Sequence, residues 1–557
     1  MKKLYSSLFI CLIVLTAVAK DRTPAQMRDV AVQKLSTTSG QKAYTRTASS
    51  VKQIINKPML CVFSDDENFV IVSRDDRFPA MLAYGSGRFS TDNMPDGLAW
   101  WMEAVQRAMT NMNGMTRSES HTPVTPLVTT KWGQGTPFNN YAPSLKLYDG
   151  RKAPAGCVAI AMAQIMNYQK YPASAQFEGH YYQEGSDEIF QGNVNTTYSW
   201  SSYLDYYNYH FPEGSDSYVQ DKYSPRQGNL VAALCRDCAY AIDMQYTISG
   251  SGAYTFDVPD GMINRFGYPA TALHYYDRDF YSDEEWSNII YAELAQGYPF
   301  IYAGYDPNGG GGHAFVADGC DAEGLLHVNW GWSGSSDGYY AFDLLNPDTD
   351  QFSEGQEIVT GIRSETLPGD EYGSLIGCYE PYTFSYNNEL RMLSFSWGGI
   401  YNICGKTING FVGIVLENIE LPDSTKNFNF LDEEEELMPF WGWREDTDSI
   451  KAEFTSGKYR VYFGSKDYRD VNYQKARTPN GPLYYEMTVG DDGNVTINPT
   501  PVYGNGSTDP SMGISKVTVS ERKSEKFVFD LQGRNLGTNP SAIPKGIYII
   551  GGKKVVK

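Results

Sequence analysis

Residues 156–168 have the sequence GCVAIAMAQIMNY, and this stretch decides the fold of the chain. The run is apolar on nearly every side and is followed by Pro172, so it predicts a buried helix with Cys157 in its first turn. Free N–H groups and the positive dipole end at a helix start favour a thiolate, lowering a cysteine pKa from ~8.5 toward ~3.5–7.5. Cys157 is therefore a candidate nucleophile, and the alternative is an ordinary small core residue.

A second stretch supplies a partner for this thiol. Residues 309–319 read GGGGHAFVADG, and residues 326–332 read LHVNWGW. We expect His313 to be the acid/base, because four glycines precede it and leave the loop open to substrate. His327 is expected to point the other way on its strand. A cysteine at a helix start, a distant histidine entering a strand and an asparagine on the next strand resemble the layout of papain-like thiol proteases.

Three further residues complete the predicted site. Asn329 is expected to accept the imidazole N–H and fix the ring of His313. Trp330, with Trp332, would roof that pair and keep water out, although plain core packing explains both indoles equally well. Gln134 is a candidate oxyanion donor that would act with the backbone N–H of Cys157.

Composition limits the classes of function. At 557 residues the chain has room for two to four domains, and its net charge of -20 argues against a nucleic-acid or anionic-membrane partner. The abundance of tyrosine and glycine suits a secreted protein rich in strands and ordered loops. Neither a metal nor another cofactor is expected.

The N-terminus has the pattern of a signal peptide over residues 1–19. Two lysines precede an apolar core at 8–14, and Ala-Val-Ala at 17–19 provides a cleavage site. No later segment reaches the ~20 apolar residues of a transmembrane helix. Seven cysteines follow residue 19, and Cys235 and Cys238 form a C-x-x-C within a helical pattern, which indicates a structural helix more than a redox or zinc site. The product is expected to be secreted or held at the cell surface.

The remaining chain divides by composition into further units. Strand patterns at 68–73 and 79–84 and a helix starting near residue 97 belong to a first unit, 20–120, which ends in a polar stretch that proteases would cut. The unit at 121–365 carries Cys157 and His313. Alternating aromatic stretches predict a β-sandwich at 366–500, and a last short β segment spans 515–557.

Several motifs together are similar to the streptopain (interpain-like) cysteine peptidases. These motifs lie at 156–159, 163–166, 312–316, 327–332 and 336–338, and residues 69–73 and 82–84 resemble the inhibitory propeptide of that family. The resemblance implies a zymogen of α+β class with a papain-like catalytic domain, an α+β propeptide and an all-β C-terminal region. It also implies a Cys157–His313 dyad, Gln134 as the oxyanion donor, and an endopeptidase with a hydrophobic preference at P2, the residue before the one that supplies the scissile carbonyl.

Two regions depart from that resemblance. Streptopain has a glycine-rich loop near the end of its catalytic domain, whereas residues 346–355 here are polar and acidic, which leaves the substrate preference open. The region beyond Arg363 lies outside the resemblance. Residues 528–534 and 544–557 are similar to the C-terminal sorting domains of the type IX secretion pathway, and they imply a contact with secretion machinery.

The sequence thus predicts a secreted cysteine endopeptidase made as a zymogen, with the maturation cut between about Asn111 and Pro126. Its partners would be protein or peptide substrates and its own propeptide. One alternative is a papain-fold amidase acting on cell-wall peptides. The other is a surface adhesin in which the C-terminal sandwich does the binding.

Overall fold

The structure is a computed structural model. It describes residues 20–38, 50–65, 67–86, 89, 91, 94–115, 121–207, 209–210, 219–305, 312–345, 355–421, 425–431, 435–504, 528–529, 547–550 and 553–556. The predicted signal peptide, the glycines at 309–311 and most of the segment 515–557 lie outside these residues.

The N-terminal unit is a four-stranded antiparallel meander with a helix at each end. Its elements are α1 (Pro24–Thr38), β1 (Lys52–Asn56), β2 (Leu60–Ser64), β3 (Asn68–Ser73), β4 (Met81–Ser86) and α2 (Asp96–Asn111). The two strands and the helix predicted here are confirmed. Helix α2 buries one face that includes Leu98, Trp101 and Val105, which is the amphipathic pattern of a helix packed on a sheet.

The central unit combines four helices with a long antiparallel sheet. Its first elements are β5 (Ser144–Leu145), β6 (Arg151–Lys152), α3 (Cys157–Gln169), β7 (Ser174–Gln183), β8 (Phe190–Thr197), β9 (Tyr209–His210), β10 (Val219–Gln220), α4 (Pro225–Ala241), β11 (Gln245–Tyr246) and α5 (Asp257–Phe266). The later elements are β12 (His274–Asp277), α6 (Asp283–Ala295), β13 (Phe300–Tyr305), β14 (Gly312–Cys320), β15 (Leu326–Asn329), β16 (Gly338–Tyr340) and β17 (Glu357–Thr360).

One ten-stranded sheet joins the N-terminal and central units, in the order β1-β2-β3-β4-β16-β15-β14-β13-β17-β12. The junction is the antiparallel pair β4–β16, in which Tyr84 lies opposite Tyr339 and their rings stack at 4.9 Å. Helix α3 contributes to the core on one face of this sheet with Ala314 and Val316. Helix α2 contributes to the core on the opposite face with Phe315 and Ala317. The N-terminal unit therefore supplies both strands and a covering helix to the sheet of the central unit.

The C-terminal unit is all β, as predicted. Its elements are β18 (Ile376–Gly377), β19 (Thr383–Asn387), β20 (Met392–Asn402), β21 (Gly410–Asn418), β22 (Lys426–Asn429), β23 (Gly442–Lys451), β24 (Gly457–Asp467), β25 (Gln474–Lys475), β26 (Arg477–Thr478), β27 (Gly481–Val489), β28 (Val495–Ile497) and β29 (Val502–Tyr503). Strands β19 and β20 face β24 across one core, where the rings of Phe384 and Phe395 lie 5.2 and 6.0 Å from that of Phe463. The α+β class with a C-terminal β-sandwich is therefore confirmed.

The last strands of the chain form a separate antiparallel sheet. They are β30 (Val528–Phe529), β31 (Ile547–Ile550) and β32 (Lys553–Val556), in the order β30-β31-β32. None of the helices in the described ranges combines the length and apolar character that a bilayer crossing requires.

Candidate active site

A glycine fixes the start of the helix that carries the thiol. Gly156 precedes α3 with φ of 96°, a left-handed conformation that favours glycine. A Cβ at this position would lie 2.5 Å from Cε of Met244, so neither the backbone conformation nor the available space accepts a side chain. Cys157 is consequently the first residue of α3, as predicted.

Strand β14 brings His313 to this thiol. The N–H of the next residue, Ala314, donates to Sγ of Cys157 at 3.5 Å, and the imidazole of His313 is buried, with only 4% exposure. Cysteine and histidine, 156 positions apart in sequence, therefore meet as the resemblance implied. The structure brings together the two residues on which acyl transfer would depend.

The electrostatics of the pair match a thiolate and an imidazolium. Burial raises the pKa of Cys157, but His313 and the N–H groups of Ala314 and Val158 outweigh burial and bring the pKa below its usual value. Burial lowers the pKa of His313, but Cys157, the Trp330 carbonyl and the charge of Asp96 bring it above its usual value. Opposite shifts of this kind favour the charged form of both partners.

The ring of His313 is oriented by a main-chain group. Its Nε2 lies 3.0 Å from the carbonyl oxygen of Trp330, and a carbonyl can only accept, so Nε2 donates. Nδ1 is then the nitrogen left for the thiol. The carbonyl is held firmly, because Trp330 Nε1 donates to the carbonyl of Ser336 at 3.1 Å and its N–H donates to Asp337 Oδ1 at 3.0 Å.

The predicted hydrogen bond from His313 to Asn329 is therefore wrong in its partner. Asn329 is fully buried beneath the site, where its Nδ2 donates to the carbonyl of Thr130 at 2.7 Å and its Oδ1 accepts from the N–H of Gly331 at 3.1 Å. We expected the side-chain oxygen of Asn329 to accept from the imidazole of His313, but the backbone carbonyl oxygen of Trp330 occupies that position. Asn329 fixes the turn that follows Trp330, one step behind the histidine.

Gln164 is a buried polar residue that the sequence reasoning did not assign to the site. Its Oε1 accepts from Thr130 Oγ1 at 2.8 Å and from Asn329 Nδ2 at 3.1 Å, and its Nε2 donates to Asn329 Oδ1 at 3.3 Å. This reciprocal amide pair ties α3 to the end of β15. The available signal was a glutamine between the apolar residues Ala163 and Ile165 of this helix, since a buried amide requires partners.

Gln134 lies at the upstream edge of the site. Its carbonyl accepts the N–H of Ala155 at 2.9 Å, which fixes it beside the segment that leads to Cys157, and its side chain is half-buried. The ion pair of Lys131 with Asp337 at 2.8 Å anchors the same loop to the turn beyond Trp330. The role of Gln134 as oxyanion donor stays a prediction.

The other candidate groups lie elsewhere. His327 points away from the site, as expected, and its Nδ1 lies 2.6 Å from Oδ1 of the fully buried Asp318. Cys235 and Cys238 lie on the buried face of α4, and burial raises the pKa of both thiols. Within the described ranges, no cluster of histidine, cysteine and carboxylate side chains has the arrangement of a metal site.

Helix α2 of the N-terminal unit lies directly against the site. A Cβ on Gly97 would lie 2.5 Å from His313 Cδ2 and 2.7 Å from Cε3 of Trp330. One residue earlier, the charge of Asp96 raises the pKa of His313. Three positions later, the ring of Trp100 packs on Gly304, where a Cβ would lie 2.0 Å from its Cζ2. The first turn of α2 therefore closes off the face of the sheet from which His313 projects.

Comparison with known proteins agrees with this geometry. Residues 132–340 match the peptidase C10 family, and residues 23–109 match the Spi protease inhibitor family. The chain is 32% identical over 339 residues to the thiol protease/hemagglutinin PrtT of Porphyromonas gingivalis, an alignment covering 55% of this chain and 37% of PrtT. It is 29% identical over 380 residues to streptopain of Streptococcus pyogenes, covering 61% of this chain and 92% of streptopain.

A solved structure is also similar. A fragment of prointerpain A from Prevotella intermedia shares 33% identity, covers 57% of this chain and 99% of its own, and superposes with a TM-score of 0.48. The chain spans little more than a third of the length of PrtT, but nearly all of streptopain. Through residues 132–340, the chain belongs to the peptidase C10 family of cysteine peptidases.

Proposed function

We propose that this chain is the zymogen of a secreted cysteine endopeptidase. Residues 20–120 would act as an intramolecular inhibitor, residues 121–365 as the catalytic domain and residues 366–500 as an accessory β-sandwich. The observation that carries the proposal is the contact of the half-buried Cys157 with the segment of the buried His313, where the N–H of Ala314 donates to Sγ of Cys157 at 3.5 Å. In this pair the pKa of the thiol is lowered and that of the imidazole is raised.

The proposed reaction is acyl transfer through a thioester. The Cys157 thiolate attacks the substrate carbonyl carbon. The resulting oxyanion accepts hydrogen bonds from the backbone N–H of Cys157 and the side-chain amide of Gln134. The imidazolium of His313 then gives its proton to the leaving amine as the C–N bond breaks. The neutral imidazole next takes a proton from water, whose oxygen attacks the thioester and releases the acid and the thiolate.

Inhibition by the N-terminal unit is supported by the placement of α2. Gly97 packs so closely on His313 and Trp330 that a Cβ there would lie 2.5 Å from His313 Cδ2, so the helix covers this side of the imidazole while the N-terminal unit is attached. The β4–β16 pairing and the stacked Tyr84 and Tyr339 hold the unit in register with the catalytic sheet. The match of residues 23–109 to a protease inhibitor family is in line with this role.

The maturation cut is proposed to fall before His121, within the range expected from the sequence. His121 donates its N–H to the carbonyl of Ala322 at 3.1 Å, and Val124 exchanges two hydrogen bonds of 2.9 Å with Cys320. These contacts attach residue 121 and those that follow it to β14. Met115, by contrast, donates to the carbonyl of Arg77 within the N-terminal unit at 2.9 Å. A cut between these two residues leaves both sets of contacts intact.

Export is proposed from the ends of the sequence. The pattern at residues 1–19 is that of a signal peptide, and residues 528–534 with 544–557 resemble a sorting domain that would contact secretion machinery. Localisation at the cell surface or in the medium follows from this proposal.

The test is self-processing of the chain that begins at Lys20 under reducing conditions, followed by intact mass and by digestion of casein. We expect the wild type to lose about a hundred N-terminal residues and then to cut casein. Cys157→Ala should do neither, and Cys235→Ala, which removes a buried thiol of α4, is the matched control that should still process. Maturation of Cys157→Ala on its own would contradict the assignment of the nucleophile.

A further inference from the structure

Two segments of the candidate active site lie against each other. The oxyanion loop, residues 130–134, ends at the candidate oxyanion donor. The histidine turn, residues 329–337, includes the carbonyl that accepts from His313. The two segments meet at their beginnings, where Asn329 Nδ2 donates to the carbonyl of Thr130 at 2.7 Å. The position of the oxyanion donor is therefore tied to the segment that orients the imidazole.

The contact continues in the middle of both segments. The N–H of Ser333 donates to the carbonyl of Trp132 at 3.0 Å. A Cβ on Gly133 would lie 2.6 Å from Ser333 Oγ, so the two segments approach each other as closely as a glycine allows. A displacement of the turn would therefore displace the loop immediately before Gln134.

One carboxylate holds both segments at once. Oδ1 of Asp337 accepts from the N–H of Trp330 at 3.0 Å, and its Oδ2 accepts from Nζ of Lys131 at 2.8 Å. Asp337 is buried and Lys131 is half-buried. Burial lowers the pKa of Lys131, but the charge of Asp337 and the hydrogen bond to it bring the pKa above its usual value, so the ammonium group stays charged. A single side chain thus links the residue that orients His313 to the oxyanion loop.

The histidine turn requires such support, because its backbone adopts a conformation that most side chains disfavour. The φ angles of Ser333 and Ser336 are 56° and 59°, in the left-handed region. Between them, Gly334 has φ of 81°, and a Cβ there would lie 3.2 Å from Cδ of Lys131, so the stem of the lysine runs along this glycine. A strained turn of this kind persists only where the surrounding contacts hold it.

We propose that Lys131 and Asp337 are positioning residues that couple the oxyanion donor to the orientation of the imidazole. Lys131 acts on Gln134, three positions further along the oxyanion loop, and Asp337 acts on His313 through Trp330. The inference rests on the proposed peptidase function and adds two residues to its machinery. A displacement of about 1 Å in a catalytic group can cost about 100-fold in rate, so the loss of this link should be measurable in kcat.

The first experiment is a double-mutant cycle on the processed enzyme with one fluorogenic peptide. Each variant is matured by a tagged wild-type enzyme that is then removed, so that self-processing is not required. Lys131→Met keeps the stem and loses the charge. It should lower kcat about 10- to 100-fold with little change in KM, since it weakens an interaction made in the transition state. In Gln134→Ala the same substitution should cost at most ~2-fold, because the donor that Lys131 positions is already absent.

The second experiment tests the imidazole side of the link. Asp337→Asn should lower kcat and should also move the fall of kcat/KM at high pH to a lower pH. The reason is that a loosened Trp330 carbonyl stabilises the imidazolium of His313 less, and the pKa of the ring then drops. A residue with a purely structural role would change the melting temperature and leave this pH unchanged.

The control is Asp370→Asn, which disrupts a similar carboxylate away from the site. Oδ1 of Asp370 accepts from Arg363 at 2.5 Å, and its Oδ2 accepts from the N–H of Leu367 at 2.7 Å. This variant should melt at a lower temperature but keep the wild-type kcat and pH profile.

Two results would overturn the inference. One is an equal loss from Lys131→Met with and without Gln134, and the other is a wild-type kcat and pH profile in Asp337→Asn. If Asp337→Asn does not fold, the double-mutant cycle alone decides. Failure of the proposed function gives a different result, since the wild type then cuts no peptide and its Cys157 resists a thiol-directed inhibitor.

Discussion

Replacing Gly97 by alanine should weaken the hold of the N-terminal unit on the active site. The added Cβ would lie 2.5 Å from His313 Cδ2, about 0.9 Å inside the 3.4 Å at which ordinary contact begins. The neighbours have little freedom to yield. His313 is fixed by the Trp330 carbonyl, and Trp330 is fixed by Ser336 and Asp337. The helix must therefore move.

Two opposing effects set the magnitude. Overpacking of this kind costs typically ~1–3 kcal/mol. Alanine for glycine in a helix returns at most ~1 kcal/mol of backbone propensity. With a cost in the middle of that range, ~2 kcal/mol, the net loss is about 1–2 kcal/mol, which corresponds to an about 5- to 30-fold larger population in which the first turn of α2 has left His313.

The assay is the rate at which iodoacetamide labels Cys157 in the intact zymogen, measured by mass on chains that still carry residues 20–120. Gly97→Ala should be labelled about 5- to 30-fold faster than the wild type. Thr110→Ala, on the exposed face of the same helix, is the matched control and should keep the wild-type rate. Unchanged or slower labelling of Gly97→Ala would refute the reasoning that this glycine admits the helix to the site.

Three more outcomes follow from the contacts described above. Asn329→Ala should lower the free energy of unfolding by about 2–4 kcal/mol, because it removes the hydrogen bonds to Thr130 and Gly331, and should reduce kcat less than His313→Ala does; wild-type melting with complete inactivity would contradict this. The pH profile of kcat/KM should be bell-shaped. The rate should rise as Cys157 loses its proton, at a pH below the ordinary cysteine pKa of 9.0, and should fall as His313 loses its proton, at a pH above the ordinary histidine pKa of 6.5. A fall in rate that begins below pH 6.5 would show that the imidazolium is not stabilised. Lys406→Met should lower the melting temperature, with a loss of about 3 kcal/mol, because the ammonium group donates to buried carbonyls of Ala270, Leu273 and Tyr372; Lys458→Met, at an exposed site, is the control, and equal melting of the two variants would contradict the role of this contact.

The sequence carried enough information to predict the helix at Cys157 and the pairing of this residue with His313. A proline-bounded apolar run has one natural interpretation, and with six histidines in the chain few partners were possible. Strand β3 and helix α2 were predicted for the same reason, since their apolar patterns are local. Local pattern therefore sufficed for these elements, while the small number of histidines and the family resemblance were needed to pair Cys157 with His313.

The support of His313 could not be predicted in this way. The acceptor for its ring is the carbonyl of Trp330, and every residue has a carbonyl, so residue type gives no signal. The closeness of Gly97 to His313 depends on how two distant segments pack, and a single glycine in a helix is ordinarily only a weak point of that helix. The role predicted for Asn329, to accept the hydrogen bond from His313, is performed by the backbone carbonyl of the next residue, Trp330.

Because β4 pairs with β16, removal of the N-terminal unit would change the position of β16 in the sheet. While the N-terminal unit is present, β16 is an interior strand with partners on both sides. Once that unit leaves, β16 becomes an edge whose free N–H and C=O groups invite another chain to pair, which is the usual route to aggregation. The strand is only three residues long, Gly338–Tyr340, and so brief an edge offers little template for a neighbouring molecule. The shortness of this strand would therefore limit the pairing of one mature molecule with another through this edge.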